Sequence, residues 1–594
     1  DFKIVMERSF TLSLGNEKNF DQSSIIGHIL DYVEWFNSDM CGSASSPYSG
    51  FSLSLRDILS WAHFIVEAKK SNSKLTICDA LYHGACLMHL DGLGLGSGLA
   101  SESSTILKTK AEQYLLGLVT EGKISNAHSV DEPICIQNGK FGVSPYFINI
   151  GQCTIPKSTF NMTAPTTSLN AFRVLRAMQL RKPILLEGSP GVGKTSLVSA
   201  LASASGNKLV RINLSEQTDI SDLMGSDLPV ENSTNNGPSF EWCDGVLLTA
   251  IKEGSWVLLD ELNLASQAVL EGLNSCLDHR ATMYIPELGM SFECPSTFRI
   301  FAAQNPLGQG GGRKGLPKSF LNRFTKVYVD ALTDSDLRSI VSSRFKSFSE
   351  EFVNQIIDFN NDIHHEVVDS QEYGSDGGPW EFNLRDVFRW CELIEAGHSS
   401  YAAGARDLYY QRFRTQNDRN RVDTTFRKHF GCSMIPNGSP EFEVLDSSVR
   451  IGETKLSRLD QSYQVLQTQR TIRESDLLFS RLVPMEAVAR CINLRWPCLL
   501  VGGSGTGKTS IVSSLAGLCN ATLVEHCLSP SSDVSELVGG YEQSETMSKE
   551  IQIIRDVCDL ANNVVIADAL RSMNSKSCLD VMVELQKYIN DWDT

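Results

Sequence analysis

The chain has 594 residues, enough for several domains, and its 42% hydrophobic and 21% charged residues are those of a globular protein. It contains no run of 18 or more apolar residues that could cross a bilayer as a helix, and DFKIVMERSF lacks the basic start and apolar core of a secretory signal. A formal charge of −17 argues against broad non-specific nucleic-acid binding, though not against local basic patches; no direct sequence-specific nucleic-acid binding is expected, and the 16 cysteines, none in C-x-x-C spacing, read as reduced thiols of an intracellular protein.

In chain order, helix-like spacing of apolar residues first covers 27–39, and FSLSLRDILSWAHFI (51–65) and DALYHGAC (79–86) continue a helical block. A connector containing FINIGQ (147–152) follows. Four short apolar runs follow, ILLE (184–187), KLVRIN (208–213), WVLLD (256–260) and FRIFAAQ (298–304), and KVYVD (326–330) reads as a further strand. Helical segments alternate with them, starting at Thr195 and near Ala265, which predicts a doubly wound α/β core with helices on both faces of a parallel sheet. Within it, 227–242 reads as a loop-bearing insert with a polar stretch at 231–238, and 280–297 as a hairpin; both are candidate contact surfaces. Residues 350–395 are helical again, and the basic stretch 400–431 reads as helix plus an exposed connection.

The chain then repeats itself. VLRAMQLRKPILLEGSPGVGKT (174–195) matches VARCINLRWPCLLVGGSGTGKT (488–509) without gaps, and LVRINLSEQTDISDLMGS (209–226) overlies LVEHCLSPSSDVSELVGG (523–540) at the same 314-residue spacing. The helical blocks repeat as well. EFNLRDVFRWCELI (381–394) puts Arg385 over Arg56, QIIDFNNDI (355–363) matches HILDYVEWF (28–36), and RDLYYQRF (406–413) matches DALYHGAC, at offsets of 327 to 329. VRIGET (449–454) resembles FINIGQ. The expected organisation is a helical block (1–100), a connector (101–165), a complete α/β core (166–333), a helical block (334–440), a connector (441–480) and the first part of a second core (481–594).

Both cores carry G-x-x-x-x-G-K-[ST], in which small residues let successive backbone N–H groups turn inward around phosphate oxygens. The first copy assigns nucleotide binding to Gly188, Ser189, Pro190, Gly191, Val192, Gly193, Lys194, Thr195 and Ser196. The second assigns it to Gly502, Gly503, Ser504, Gly505, Thr506, Gly507, Lys508, Thr509 and Ser510. Lys194 would reach the β- and γ-phosphates of ATP, and the Thr195 and Thr509 hydroxyls would ligate Mg2+. The strand WVLLD ends in two carboxylates: Asp260 for the magnesium, through water, and Glu261 to polarise the attacking water. An acidic strand end without chemistry is the competing reading. FAAQNP (301–306) sets Asn305 at the end of the next strand, where it could orient water, and Arg323 closes the segment before KVYVD. His364 and His365 lack the i, i+4 spacing of a metal pair and read as a helix face. VVIAD (564–568) offers Asp568 as a second magnesium-binding strand end, but Ala569 follows it, and the spacing of Ile554, Val557, Cys558, Ala561, Val564 and Val565 predicts an amphipathic helical insertion.

GSPGVGKT, WVLLDELNLASQAVLEGLNSCLDHR, FAAQNP and GGGRKGLPKSFLNRF together resemble the AAA+ ATPases of the dynein, midasin and MoxR-type branch, with wording most similar to the midasin family, whose members carry six AAA+ units in one chain. On that resemblance the complete core is the fourth unit, the first helical block is the lid of the third, and the second core opens the fifth. The resemblance implies a nuclear, nucleolar and nucleoplasmic ATPase that removes assembly factors from precursors of the large (60S) ribosomal subunit, working as a chaperone-like machine without membrane partners. It implies that neighbouring AAA+ units of the same chain are its immediate partners. It makes Asn305 the first sensor, Arg323 the arginine finger with Arg313 as the alternative, Arg385 the lid arginine that senses phosphates, and Arg56 its counterpart for the preceding unit. Either arginine could instead be a surface salt-bridge partner. Because a finger acts in trans, the isolated chain is expected to bind ATP and hydrolyse it poorly. A nucleotide-stabilised structural segment of a ring and a dynein-type motor segment are the alternative readings.

Overall fold

The computed structural model describes residues 22–41, 52–72, 75–93, 101–118, 133–155, 160–230, 239–278, 282–305, 315–397, 399–435, 438–459, 481–529, 532, 537 and 539. The chain forms two compact units, Asp1–Ile357 with Asn383–Arg385, and Asp358–Phe382 with Asp386–Thr594.

The first unit opens with helices α1 (Gln22–Trp35), α2 (Leu55–Ser71), α3 (Ile77–Met88) and α4 (Ser101–Leu118). Ser54 and Asp57 form a capping box that starts α2, and the Thr76 hydroxyl starts α3 by accepting the Asp79 N–H at 3.0 Å. α2 buries Ile58, Trp61, Ala62, Ile65 and Ala68, a stripe at helical spacing. α4 buries Leu107, Ala111 and Leu115, one per turn, and its Tyr114 stacks on Trp35 of α1 at 3.9 Å between ring centres. The helical block therefore runs to Leu118, beyond the boundary at 100 expected from sequence. The connector that follows contains a three-stranded antiparallel sheet of β1 (Cys135–Gln137), β2 (Lys140–Val143) and β3 (Tyr146–Asn149).

The α/β core begins with α5 (Pro165–Ala177), whose proline occupies the first turn, where no amide donor is needed. Strands β4 (Ile184–Glu187), β5 (Leu209–Asn213), β8 (Trp256–Asp260), β11 (Arg299–Gln304) and β12 (Thr325–Tyr328) form one sheet in the order β12-β4-β11-β8-β5, and every pair is parallel. The strand residues Leu185, Leu186, Val257, Leu258, Phe301 and Ala302 are fully buried, as a sheet covered on both faces requires. The covering helices are α6 (Lys194–Ala204), α7 (Ile220–Met224), α8 (Val246–Glu253), α9 (Gln267–Leu277) and α10 (Lys318–Leu321). Two antiparallel hairpins interrupt the core, β6 (Gly225–Val230) with β7 (Ser239–Asp244), and β9 (Thr282–Ile285) with β10 (Met290–Glu293). They occupy the insert and the hairpin read from sequence. The register pairs Gln304 with Glu187 and Ala302 with Leu259, so the C-terminal ends of β4, β11 and β8 lie side by side. α11 (Asp334–Arg344), capped by Thr333, follows β12.

The second helical block contains α12 (Glu350–His364), α13 (Leu384–Glu395), α14 (Tyr401–Leu408) and α15 (Gln416–Phe430). Phe359 meets Trp390 and Phe426 edge-on at its centre. Both helical blocks share one joint. The Trp61 indole donates to the Leu81 carbonyl at 2.9 Å and covers Gly84; the Trp390 indole donates to the Tyr401 carbonyl at 2.9 Å and covers Gly404. This places Leu81 over Tyr401 and Gly84 over Gly404, an offset of 320 rather than the 327 that aligns DALYHGAC with RDLYYQRF. The two sequence stretches match, but the helices pack about two turns out of that match.

A second three-stranded antiparallel sheet follows, β13 (Phe442–Val444), β14 (Ser448–Ile451) and β15 (Thr454–Ser457), and then α16 (Leu482–Asn493) and α17 (Lys508–Leu518). In the first part of the second core the described residues form helices but no strand. PCLLV and LVEHCLS form no strand, and Leu499 and Val501 are 88% and 69% exposed. A parallel strand needs neighbours on its hydrogen-bonding edges. In the first core β4 has β11 and β12; no counterparts of those strands lie among the described residues.

The Trp61 joint gives a stability test. A methyl group on Gly84 would sit 2.4 Å from Trp61 Cδ1, inside a fully packed core. Gly84→Ala is therefore expected to destabilise the protein by about 1–3 kcal/mol, read as a lowered midpoint in urea unfolding, despite alanine's better helix propensity.

Candidate nucleotide-binding site

The loop between β4 and α6 takes its shape from two glycines. Gly191 (φ 77°) and Gly193 (φ 85°) hold left-handed backbone that turns the chain inward, and Gly193 sits immediately before the helix. A Cβ on Gly191 would also lie 2.9 Å from Asn383 Nδ2, so the start of α13 leaves no space there. Lys194 is the first residue of α6 and is 8% exposed. Its ammonium donates to the carbonyls of Gly188 (2.7 Å) and Ser189 (2.9 Å) and to Asn305 Oδ1 (2.7 Å).

Parallel register brings the other groups to the same edge. Asn305 follows β11, and its Nδ2 donates to Glu261 Oε1 at 2.8 Å. Lys194, Asn305 and Glu261 thus form one continuous chain of contacts, with the Asn305 amide accepting from the cation and donating to the carboxylate. Glu261 has φ 54°, a left-handed conformation costing about 1–3 kcal/mol in a non-glycine residue, which turns the chain sharply after β8. Asp260 ends β8 and is buried; its Oδ2 accepts from Thr195 Oγ1 at 3.2 Å. Thr195 and Asp260 are hard oxygen donors from a loop-helix junction and a strand end, a fit for the hydrated octahedral shell of Mg2+.

Several residues that sequence reasoning passed over complete the site. Arg211 of β5 donates to Asp260 Oδ2 at 2.5 Å, although its side chain is 59% exposed. Asn263, buried to 2%, donates to the Asn305 backbone carbonyl at 3.2 Å and fixes the turn carrying that side chain. The RIN of KLVRIN and the LN of DELNL were the signals, and each reads equally well as ordinary strand or turn sequence.

The predicted arginines divide. Arg385 is exposed at the start of α13, where its N–H donates to Asn383 Oδ1 at 3.0 Å, and Asn383–Arg385 group with the unit that holds Gly191. Arg323 lies elsewhere: its guanidinium donates to Asn274 Oδ1 at 2.5 Å and lines a separate cavity with Arg56. Arg313 and Asp568 lie outside the described residues. In the second loop Gly505 (φ 76°) and Gly507 (φ 85°) repeat the turn, and Lys508 donates to the carbonyls of Gly502 (2.9 Å) and Gly503 (2.8 Å). No acidic pair faces Lys508 or Thr509 among the described residues.

Three family models match the chain: a midasin AAA+ ATPase lid domain over residues 15–91, an AAA domain of the dynein-related subfamily over 183–324, and a midasin AAA lid domain over 336–433. Midasin of Dictyostelium discoideum is 43% identical over 583 residues, covering 91% of this chain and 10% of its own length. Midasin of Giardia intestinalis is 34% identical over 629 residues, covering 99% of this chain and 13% of its own length. An uncharacterised protein of Staphylococcus saprophyticus is 30% identical over 186 residues, covering 31% of this chain and 70% of its own. The chain thus spans roughly a tenth of the length of the two midasins it matches.

The Arg211 contact has a measurable consequence. Its guanidinium occupies the carboxylate oxygen that a hydrated magnesium ion would use, so Arg211→Gln is expected to lower the Mg2+ concentration needed for half-maximal binding of a fluorescent ATP analogue. The pair is solvent-exposed on the arginine side, which limits the shift to roughly two- to fivefold. An unchanged or raised magnesium requirement would show that Arg211 does not compete for Asp260.

Proposed function

This chain belongs to the midasin family of AAA+ ATPases, and on that premise we propose that its first core is an ATP-hydrolysing station of a covalent AAA+ ring. The observation that carries the reading is the contact chain Lys194–Asn305–Glu261, set beside Thr195 and Asp260 at the aligned ends of three parallel strands. Lys194 moves from the loop carbonyls to the β- and γ-phosphate oxygens of ATP, where a charge-assisted contact replaces neutral ones. Asn305 then lies between the γ-phosphate and Glu261. Glu261 polarises the attacking water, and Asn305 orients it and registers loss of the phosphate. Thr195 and Asp260 are the residues that would hold Mg2+, which would supply charge neutralisation at the phosphates. Arg385, at the helix start that abuts Gly191, reads the phosphates from the lid side.

In the whole protein this turnover drives removal of assembly factors from precursors of the large ribosomal subunit in the nucleus. Support for that role comes from the relationship to midasins, and for catalysis from the intact acidic pair. The second P-loop, without such a pair among the described residues, is better read as a nucleotide site that stabilises the ring.

Two substitutions test the first core. Lys194→Ala is expected to weaken binding of a fluorescent ATP analogue to this chain at least tenfold, while Glu261→Gln leaves binding within about twofold, because the glutamine keeps the Asn305 contact. The unsubstituted chain should turn over slowly, since no arginine acting in trans on Lys194's nucleotide is among the described residues around it. Brisk hydrolysis by this chain, abolished in Glu261→Gln, would overturn the trans requirement. In the full-length protein Glu261→Gln should leave assembly factors on large-subunit precursors; their normal release would remove this core from the reaction.

A further inference from the structure

At the opposite end of the sheet from the P-loop, the turn LRKP (180–183) leads from α5 into β4. The Thr325 N–H donates to the Pro183 carbonyl at 2.8 Å, which sets the end of α10, and with it Arg323, beside Arg181 and Lys182. The first turn of α2 closes the same space with Arg56. The resulting cavity, about 430 Å3, is lined by four cationic side chains, Arg56, Arg181, Lys182 and Arg323, and by one carboxylate, Asp278.

The fold holds two of these cations with neutral acceptors. Lys182 donates to Ser60 Oγ at 2.9 Å, one turn after Arg56, and Arg323 to Asn274 Oδ1 at 2.5 Å. Burial and the neighbouring Arg56 push the Lys182 ammonium below the usual lysine range, with Asp57 opposing. A cavity with three more cations than its lone carboxylate neutralises calls for a multivalent anion, and guanidinium forks beside an ammonium match the oxygens of a polyphosphate.

The internal repeat identifies which polyphosphate. Arg385 stands over Arg56, and Asn383 over Ser54, at a spacing of 329. Asn383 abuts Gly191 of the P-loop in the core preceding its own helical block. By the same relation, the start of α2 addresses the P-loop of the core to which the 22–118 helices belong as lid. The first core's Arg181 has Arg495 as its counterpart, but Lys182 has Trp496, so the lysine is particular to this cavity.

We propose that Lys182, together with Arg181, contacts the phosphates of the nucleotide held by that preceding core, acting in trans beside Arg56 and Arg323. The inference rests on reading the family's P-loops as ATP sites. Full-length protein treated with an acyl-phosphate derivative of ATP, which transfers its acyl group to amines next to bound phosphates, tests it by mass spectrometry. Lys182 and Lys194 should both be acylated, and excess ATP should suppress each at least fivefold. Arg56→Ala should reduce labelling of Lys182 several-fold and leave Lys194 labelling unchanged, which also reports that the core is folded. Lys194 labelled and ATP-protected while Lys182 stays unmodified, or modified regardless of ATP, overturns the inference and spares the ATP-site reading. Failure of both lysines to label overturns the two together.

Discussion

One ammonium group organises the first core. Lys194 Nζ is buried at the start of α6 and shared among two loop carbonyls and the Asn305 amide. An ammonium in that position cannot be left without acceptors, because an unsolvated charge costs far more than the loop's strain. Its demand ties the P-loop to β11, and Asn305 passes the tie to Glu261 beyond β8. Three strands that are distant in sequence are thereby joined at their catalytic ends by side chains as well as by the sheet ladder. On the reading proposed above, nucleotide phosphates are stronger acceptors than carbonyl oxygens, so ligand arrival would withdraw the lysine from this chain of contacts. On that reading, the cation that supports the fold is also the one the substrate would compete for.

A second constraint acts where each helical block meets the α/β core that follows it. Arg176 of α5, buried to 3%, pairs with Asp91 just after α3, and Arg173 reaches both Asp91 and Asp330. Its counterpart at the 314-residue spacing, Arg490 of α16, is buried to 1% and pairs with Asp407 of α14 and Glu486, while Arg406 also binds Glu486 at 2.8 Å. Removing one member of such a set strands a buried charge at a cost of about 3–5 kcal/mol. In the first unit the helical block and the core behind it also share one hydrophobic cluster, from Ile25 through Trp61 to Leu186 and Val327.

Much of this was legible because local chemistry is written in short runs. ILLE, WVLLD and FRIFAAQ gave their strands, and the glycines of GSPGVGKT gave the loop. What escaped the sequence depends on contacts between runs. Helix α4 is polar on most positions, and Leu107, Ala111 and Leu115 mark its buried face among the described side chains. The match of DALYHGAC to RDLYYQRF misaligned the helical blocks because letters agreed where packing does not; the Trp61–Gly84 and Trp390–Gly404 contacts carry the true equivalence. Arg211 and Asn263 were invisible as site residues because their roles come from parallel register alone. The three-stranded sheets of the connectors were also missed, since strands of three or four residues such as FGV and VRI carry too little periodicity to stand out.

The second P-loop separates what is local from what is assembled. Gly505 and Gly507 hold nearly the same dihedral angles as Gly191 and Gly193, and Lys508 reaches the same two carbonyls as Lys194, though PCLLV before it forms no strand. The phosphate cradle is therefore a property of eight residues and the helix they start. Lys508 has no counterpart of the Asn305 contact among its hydrogen bonds, and without an acidic pair at hand among the described residues there is nothing for such a contact to control. The loop's shape is local; the asparagine–glutamate contact belongs to the sheet. A chain that repeats the loop can thus repeat the turn and its lysine at regular intervals, whereas an asparagine–glutamate contact needs strands that bring both residues to the same edge, the distinction on which the proposed division of roles rests.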